Sequence, residues 1–345
     1  MTARAEETLG TARIMLGHSD ISFRPMGLGC MGMSQFYGVA DDSQSVETIC
    51  AALDLGVSFL DTSDFYGAGN ALTGAESPGF GHNEDLIGRA VAGRREDAVV
   101  ATKFGVQLDP GGDGPGFMLN GQPDYVREAC EASLRRLKVE TIDLYYAHRV
   151  DPNVPVEETV GAMARLVEQG KVRAIGLSEA TSDELQRAHA THPISALQSE
   201  YSLWERNVEA NILPACRALG ITFVPYCPLG RSMLTGEVKT GTAFGQGDFR
   251  AMDPRFAADA MASNLAPVEV LVALAAAKGA TPGQLALAWL LGQPQAIVPI
   301  PGTKRVKYVK ENSAATNIAL SADEIAYLSA AFAPEKIAGR RATTA

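Results

Sequence analysis

The chain has 345 residues, of which 46% are hydrophobic and 20% charged, with a net charge of −10 and a pI near 5.1. That length suits one large α/β domain or two small ones, and the acidic balance repels a phosphodiester backbone, which argues against nucleic acid as a partner. No run of eighteen or more apolar residues is present, so no membrane-spanning segment is expected.

Residues 1–17 are mixed and polar and read as an N-terminal arm, with no apolar stretch long enough for a signal peptide. From residue 18 to 333 one unit recurs: a short apolar strand, a polar loop, then an amphipathic helix. Strands are expected near 25–29, 57–61, 98–102, 142–146, 172–176, 195–199, 221–225 and 296–299. A helix over 43–55 buries Val46, Ile49, Cys50 and Leu53, and Gly56 follows it as a C-cap. Gly93, Gly170 and Gly220 stand in the same place before later strands. Thr181 with Glu184, Thr281 with Gln284, and Ser321 with Glu324 are spaced as capping boxes, and Pro282 suits a first helical turn. Residues 334–345 are left as a C-terminal tail.

Alternating strands and helices imply a parallel sheet, and eight such units favour a single closed (β/α)₈ TIM barrel. Two long loops interrupt the repeat at its C-terminal rim. One is the insert 67–81, where Leu72 and Phe80 are expected to form a partly apolar wall over a pocket. The other is 230–266, rich in Gly and Asp. Phe36 and Trp204 are candidates for pocket or core. Five cysteines (Cys30, Cys50, Cys130, Cys216, Cys227) without a Cys-x-x-Cys pair read as reduced thiols, in keeping with a cytoplasmic protein.

Gly27-Leu28-Gly29-Cys30-Met31-Gly32 matches the dinucleotide fingerprint Gly-x-Gly-x-x-Gly. A true fingerprint opens a helix at once, because the diphosphate rests on that helix's N-terminus. Here the next helix begins only near Ser43, so the match reads as a glycine-rich barrel strand. His189 and His192 have no acidic or cysteine partner at metal spacing, and no metal is expected.

Three strands end in ionisable groups. Asp61 closes the second, Tyr66 follows in its loop, Lys103 ends the third, and His148 lies just past the fourth. The C-terminal rim of a barrel would bring them together. Reducing a carbonyl requires a proton donor and a group that orients the oxygen. A buried lysine beside a phenol should draw Tyr66 down toward neutrality, Asp61 should keep Lys103 charged, and a neutral His148 should hold the substrate oxygen.

Lys304, Arg305, Lys307 and Lys310 crowd into a short stretch after the last strand, a basic cluster suited to a 2′-phosphate. The alternative is a solvated helix face.

Asp61-Thr62-Ser63-Asp64-Phe65-Tyr66, Lys103, His148, Gly29-Cys30-Met31-Gly32-Met33-Ser34 and Gly176-Leu177-Ser178-Glu179-Ala180 together resemble the aldo-keto reductase family, over residues 25–333. The resemblance implies NADP(H)-dependent interconversion of aldehydes or ketones and alcohols, with Asp61, Tyr66, Lys103 and His148 as the catalytic tetrad and a small-molecule carbonyl as partner. It implies that Ser178 and Gln198 bind the nicotinamide carboxamide and that Tyr201 stacks under the ring. Tyr226, Pro228, Leu229 and Gly230 would follow the diphosphate. Cys30, Met31, Asp61, Gly302, Thr303, Lys304, Arg305 and Tyr308 complete the cofactor set, and Glu311 and Asn312 would contact the adenine. Glu179 stands where many members of the family carry Asn. Two other readings stay open: an NADPH-binding subunit with negligible turnover, and a Schiff-base aldolase acting through Lys103.

Overall fold

The computed structural model describes residues 12–68, 77–109, 111, 116–245 and 247–341. Seven parallel strands follow one another in chain order around a sheet: β1 (Gly27–Gly29), β2 (Phe59–Asp61), β3 (Val99–Phe104), β4 (Ile142–Ala147), β5 (Val172–Ser178), β6 (Ala196–Glu200) and β7 (Thr222–Tyr226). The helices α1 (Asp42–Asp54), α2 (His82–Ala90), α3 (Pro123–Leu137), α4 (Val156–Glu168), α5 (Ser182–Thr191) and α6 (Ile212–Ala218) connect them. After β7 come α7 (Ala258–Ala277), α8 (Pro282–Leu291), α9 (Val306–Ser313) and α10 (Ala322–Ala331).

The eighth segment closes the barrel without forming a regular strand, and its prolines explain why. Val298 and Ile300 donate to Phe223 and Pro225 of β7 at 3.0 and 3.3 Å, while Gly27 and Gly29 of β1 donate to Pro299 and Pro301 at 2.9 and 3.3 Å. Pro299 and Pro301 carry no N–H to return toward β1, so that side has half a ladder. The ring of strands is nevertheless complete, and the chain folds as the (β/α)₈ barrel expected from its repeat.

Side chains alternate across each strand as the pleat requires. Phe59, Val99, Ala101, Leu144, Tyr146, Ala174, Ala196, Val224, Val298 and Ile300 fill the barrel interior, and Leu28, Leu60, Val100, Tyr145, Ile175, Leu177 and Leu197 face the helices. A hairpin the sequence did not announce, Ile14–Met15 paired with Ser22–Phe23, adds Leu16, Ile21 and Phe23 to the interior cluster, with the Phe23 ring 4.9 Å from that of Phe59. Gly27 and Gly29 explain the false fingerprint. A Cβ on Gly27 would lie 2.9 Å from Phe59 and Ile300, and one on Gly29 would lie 2.8 Å from the Ile300 carbonyl oxygen. Close strand contact requires these glycines, and the first long helix begins only at Asp42.

All three capping boxes form, at Thr181, Thr281 and Ser321, and Pro282 occupies the first turn of α8. One boundary moves. The irregular segment expected over 230–266 ends at residue 257, because α7 starts at Ala258 and runs through Pro267. The alanine-rich residues before that proline carry enough helix propensity to continue across the lost hydrogen bond. This helix spans 20 residues at mean hydropathy 1.6, long and apolar enough to cross a membrane by those two measures. Ala260, Met261, Asn264, Pro267, Val268, Leu271 and Ala275 on it are buried within the protein.

The loops leaving the C-terminal strand ends are long, and they build the rim. After β3, Val106–Leu108 and Phe117–Leu119 form a second unexpected hairpin. Within the insert 67–81, Leu72 lies outside the described residues.

Candidate active site

Asp61 and Lys103 lie on neighbouring strands, with Asp61 in register with Ala101. Lys103 is two residues further along β3 and so projects inward on the same side, one layer higher. Its ammonium has three hydrogens and three partners: Asp61 Oδ1 at 2.7 Å, the Thr62 carbonyl at 2.8 Å and the Tyr66 hydroxyl oxygen at 3.1 Å. The other carboxylate oxygen of Asp61 accepts from Gln198 Nε2 at 2.7 Å. Since the Tyr66 oxygen accepts from Lys103, the phenolic proton must point elsewhere, and Tyr66 lines an open cleft.

His148 completes the group. Its ring meets that of Tyr66 edge-on, with centroids 5.7 Å apart, and its Nδ1 lies 3.1 Å from Ser63 Oγ. Ser63 already accepts from the Phe65 N–H at 3.2 Å. Its hydroxyl donates to Asp64 Oδ1 at 3.3 Å or the Lys103 carbonyl at 3.4 Å, or shares a proton with His148 Nδ1, the nearest partner.

The electrostatics differ from expectation in one respect. Burial pushes Asp61 up and Lys103 down, and each is drawn back by its partner's charge. His148 is held well below the ordinary imidazole value by burial, then by Arg149 and Lys103, and is neutral. Tyr66, however, is raised well above the ordinary phenol value, by burial first and by the Asp61 charge second, with Arg149 opposing. The expected downward pull of Lys103 fails because Asp61 neutralises the ammonium at 2.7 Å. The buried pair therefore leaves the phenol with its desolvation penalty.

The cleft has a volume of about 570 Å³ and runs from Tyr66 and His148 past Tyr226 to Thr303, Lys304 and Arg305. Its lining is rich in cations, although Arg231 pairs with Glu200 and Asp253, and Arg250 with Asp248, behind the wall. Arg149, Arg231, Arg250, Lys304 and Arg305 line it, whereas Asp61 is the sole carboxylate on its described walls, in a protein of net charge −10. Near Tyr66 the walls are apolar, formed by Phe36, Phe65, Val106, Leu108, Phe117 and Leu119. Phe80 packs edge-on behind Phe65 at 6.4 Å. The 36–39 loop is tied to residues lining the cleft: Phe249 N–H donates to the Phe36 carbonyl at 3.3 Å, and Lys304 Nζ donates to the carbonyls of Tyr37 and Val39 at 2.8 Å each.

Strain gathers at this rim. The described non-glycine residues with left-handed backbone are Phe36, Lys138, Glu179, Cys227, Arg231 and Ser232, and four of them line the cleft. Such conformations cost of the order of 1–3 kcal/mol each and persist where a site needs them.

Of the residues expected at a cofactor site, Met31, Asp61, Ser178, Gln198, Tyr226, Pro228, Leu229, Gly302, Thr303, Lys304, Arg305 and Tyr308 line the cleft. Five do not. Tyr201 is fully buried against Phe223 and Trp289 and donates to Glu209 Oε1 at 2.8 Å, so it cannot lie under a ring in the cleft. The aromatic at the cleft floor is Tyr226. Cys30 follows the inward Gly29 and so points outward into the core. Gly230 is turned into the 227–230 turn, its N–H donating to the Cys227 carbonyl at 2.8 Å. Glu311 accepts from Thr281 Oγ1 at 2.9 Å, and Asn312 is buried on α9 outside the cleft. The basic cluster divides as well: Lys304 and Arg305 line the cleft, while Lys307 and Lys310 are exposed on α9. Phe36 lines the cleft, whereas Trp204 is core, beneath the Arg255 guanidinium at 4.7 Å.

The sequence reading missed Gln35, Tyr37, Arg149, Arg231 and Arg250. Arg149 and Arg231 adjoin motifs already singled out, so a search for cations beside rim strand ends would have found them. Tyr37 and Arg250 are brought in by loops whose course no local pattern specifies.

A parallel barrel with ionisable groups gathered at the C-terminal rim and a cation-lined cleft beside them has the layout of a barrel enzyme's active site. The chain belongs to the Aldo/keto reductase family, whose model matches residues 25–332. Among solved structures it is similar to a glycerol dehydrogenase from Gluconobacter oxydans, with 29% identity, a TM-score of 0.83, and coverage of 96% of this chain and 98% of that one. It is also similar to an aldo/keto reductase from Klebsiella pneumoniae solved in complex with NADP and acetate, at 27% identity, a TM-score of 0.70, and coverage of 94% and 96%. A thermostable aldo-keto reductase in complex with the inhibitor epalrestat gives 29% identity and a TM-score of 0.71, over 93% of this chain and 100% of that one.

Proposed function

We propose that this protein reduces small aldehydes or ketones to alcohols with NADPH, and runs the reverse oxidation, with Tyr66 as the proton donor. The observation that carries the reading is the saturated Lys103 ammonium, which occupies the Tyr66 oxygen and directs the phenolic proton into the cleft beside a neutral His148. Tyr66 keeps its proton at neutral pH, as an acid poised for a developing alkoxide must. In the tautomer in which Ser63 donates to His148 Nδ1, Nε2–H would be free to hold the carbonyl oxygen.

The cleft fits NADP(H) by the chemistry of its donors: guanidiniums and the Lys304 ammonium line it, with Lys304 and Arg305 at the rim, and amide, hydroxyl and aromatic groups lie at the Tyr66 end. NADPH bound there supplies the hydride. Ser178 Oγ and the side-chain oxygen of Gln198 would hold the carboxamide, and Tyr226 would support the ring. Arg231 and the left-handed turn around it suit the diphosphate, and Arg305 with Lys304 the 2′-phosphate. The relative from Klebsiella pneumoniae binds NADP, which supports the assignment. The free cysteines fit a reducing cytoplasm.

The Schiff-base alternative lacks a nucleophile. Lys103 is fully buried, does not line the cleft and has all its hydrogens engaged. The test is fluorescence titration with NADPH and NADH, followed by NADPH oxidation against a panel of aromatic and aliphatic aldehydes. Tight NADPH binding with turnover is expected. Binding without turnover on any aldehyde or on glycerol would favour the non-catalytic subunit, and no binding of either nucleotide would overturn the reading.

A further inference from the structure

Behind Tyr226 lies a buried ionic cluster whose carboxylates and tail arginine the proposed chemistry does not use. Glu179 follows β5, Glu200 ends β6 and Tyr226 ends β7, so their side chains meet at three successive strand ends. Arg341, from the C-terminal segment, spans them. Its Nε donates to Glu200 Oε2 at 3.0 Å, and its Nη2 donates to the Tyr226 hydroxyl at 2.6 Å and lies 2.7 Å from Glu179 Oε1. Its route is fixed by Asn264, which accepts from the Ala338 N–H at 2.8 Å and donates to the Ala338 carbonyl at 2.9 Å.

Charge makes this contact consequential. Glu200 also meets Arg255 at 3.0 Å and Arg231 at 3.4 Å, Asp253 meets both arginines, and Glu205 meets Arg255 at 3.5 Å. Arg149 also acts on Glu179 and Tyr226, so the cluster sets four carboxylates against four guanidiniums, and without Arg341 it would hold four against three. That excess would sit directly under the cleft floor, beside Arg231. An anionic ligand in the cleft would meet an opposing field, and the Tyr226 ring would lose the bond that fixes its hydroxyl.

We infer that Arg341 is a positioning residue of the dinucleotide site, neutralising Glu179 and Glu200 and holding the Tyr226 ring beneath the bound nucleotide. The inference rests on the reading of the cleft as an NADP(H) site. It also gives Glu179 a role: where an asparagine would be neutral, this carboxylate pairs with the tail's Arg341, beside the charge of Arg149.

The experiment titrates NADPH, by quenching of intrinsic fluorescence, into the full chain and into Arg341→Met, Arg341→Met with Glu179→Gln, and Arg341→Lys. Arg341→Met should raise the Kd for NADPH by about tenfold or more, the scale of one buried charge pair broken at a binding surface. Adding Glu179→Gln should recover most of that loss, because the uncompensated carboxylate is gone, and Arg341→Lys should fall between. The loss should appear in KM for NADPH and spare kcat at saturating NADPH. Wild-type affinity in Arg341→Met, or a double variant no tighter than the single, would overturn the inference. So would a lowered Tm with unchanged Kd, which would leave the tail a structural brace alone. Failure of the wild-type chain to bind NADPH would instead refute the cofactor reading, before any variant is compared.

Discussion

Replacing Lys103 by methionine tests the centre of the site through stability and pH. Lys103 and Asp61 are 0% and 3% exposed at the side chain and 2.7 Å apart, and both carboxylate oxygens of Asp61 are hydrogen-bonded. Removing the ammonium leaves a buried, uncompensated carboxylate, a loss of about 3–5 kcal/mol when the charge is retained. The carboxyl can escape by taking a proton, which limits the loss at low pH. Asp61 is already raised above its ordinary value by burial and will rise further without Lys103. A folded-state acid raised above its unfolded value costs nothing below the unfolded value, near 4, and about 1.4 kcal/mol for each pH unit above it until the folded value is reached. The variant should therefore lose about 1–2 kcal/mol at pH 5 and about 3–5 kcal/mol at pH 8 relative to the native chain. Urea unfolding at both pH values measures this, and the double variant Lys103→Met with Asp61→Asn should recover most of the stability at pH 8 without recovering turnover. A loss independent of pH, or a double variant no more stable than the single, would refute the buried-pair argument.

Tyr66→Phe should lower kcat by about 10²–10⁴-fold, the usual reach of a positioned general acid, while NADPH titrates as in the native chain; retained kcat would remove Tyr66 from the proton-donor role. Because Tyr66 is raised and His148 lowered, both stay neutral between their ordinary values, so kcat for reduction should stay level across that window in a pH–rate profile. Ser63→Ala should free His148 Nδ1 and move the ring toward a mixture of tautomers, visible in imidazole ¹⁵N shifts, with kcat reduced by about tenfold for one lost orienting bond. Unchanged ¹⁵N shifts would show that Ser63 does not set the tautomer. Phe249→Ala should loosen the packing of Phe36 and Arg231 at the cleft wall and speed NADPH release in a stopped-flow chase, with the greater share of the affinity change in the off-rate.

Much of this protein was legible in its sequence because the relevant physics is local. A capping box at Thr181, Thr281 or Ser321 needs a hydroxyl and a Glu or Gln three residues on, and nothing distant can supply or remove it. The strands announced themselves by short apolar runs, and their alternation with helices admitted one closed arrangement. Asp61, Tyr66, Lys103 and His148 then met because parallel strands in register place their C-terminal ends on one rim. Strand parity could have corrected Tyr201 in advance: it stands an odd number of residues from the inward Gln198 and must face away, whereas Tyr226 shares parity with the inward Val224.

Other features depended on contacts between segments far apart in the chain, which no local pattern encodes. Only the fold joins Lys304 to the backbone of Tyr37 and Val39, and Arg341 to Glu179, Glu200 and Tyr226. The direction of the Tyr66 titration belongs here too. Residue types predicted that a nearby lysine would draw it down, but the outcome rests on burial and on Asp61 cancelling that charge, both set by three-dimensional distance. Periodicity and capping act over a few residues and are written in the chain, whereas desolvation and Coulomb energies depend on what surrounds a group, which exists only once the barrel has closed.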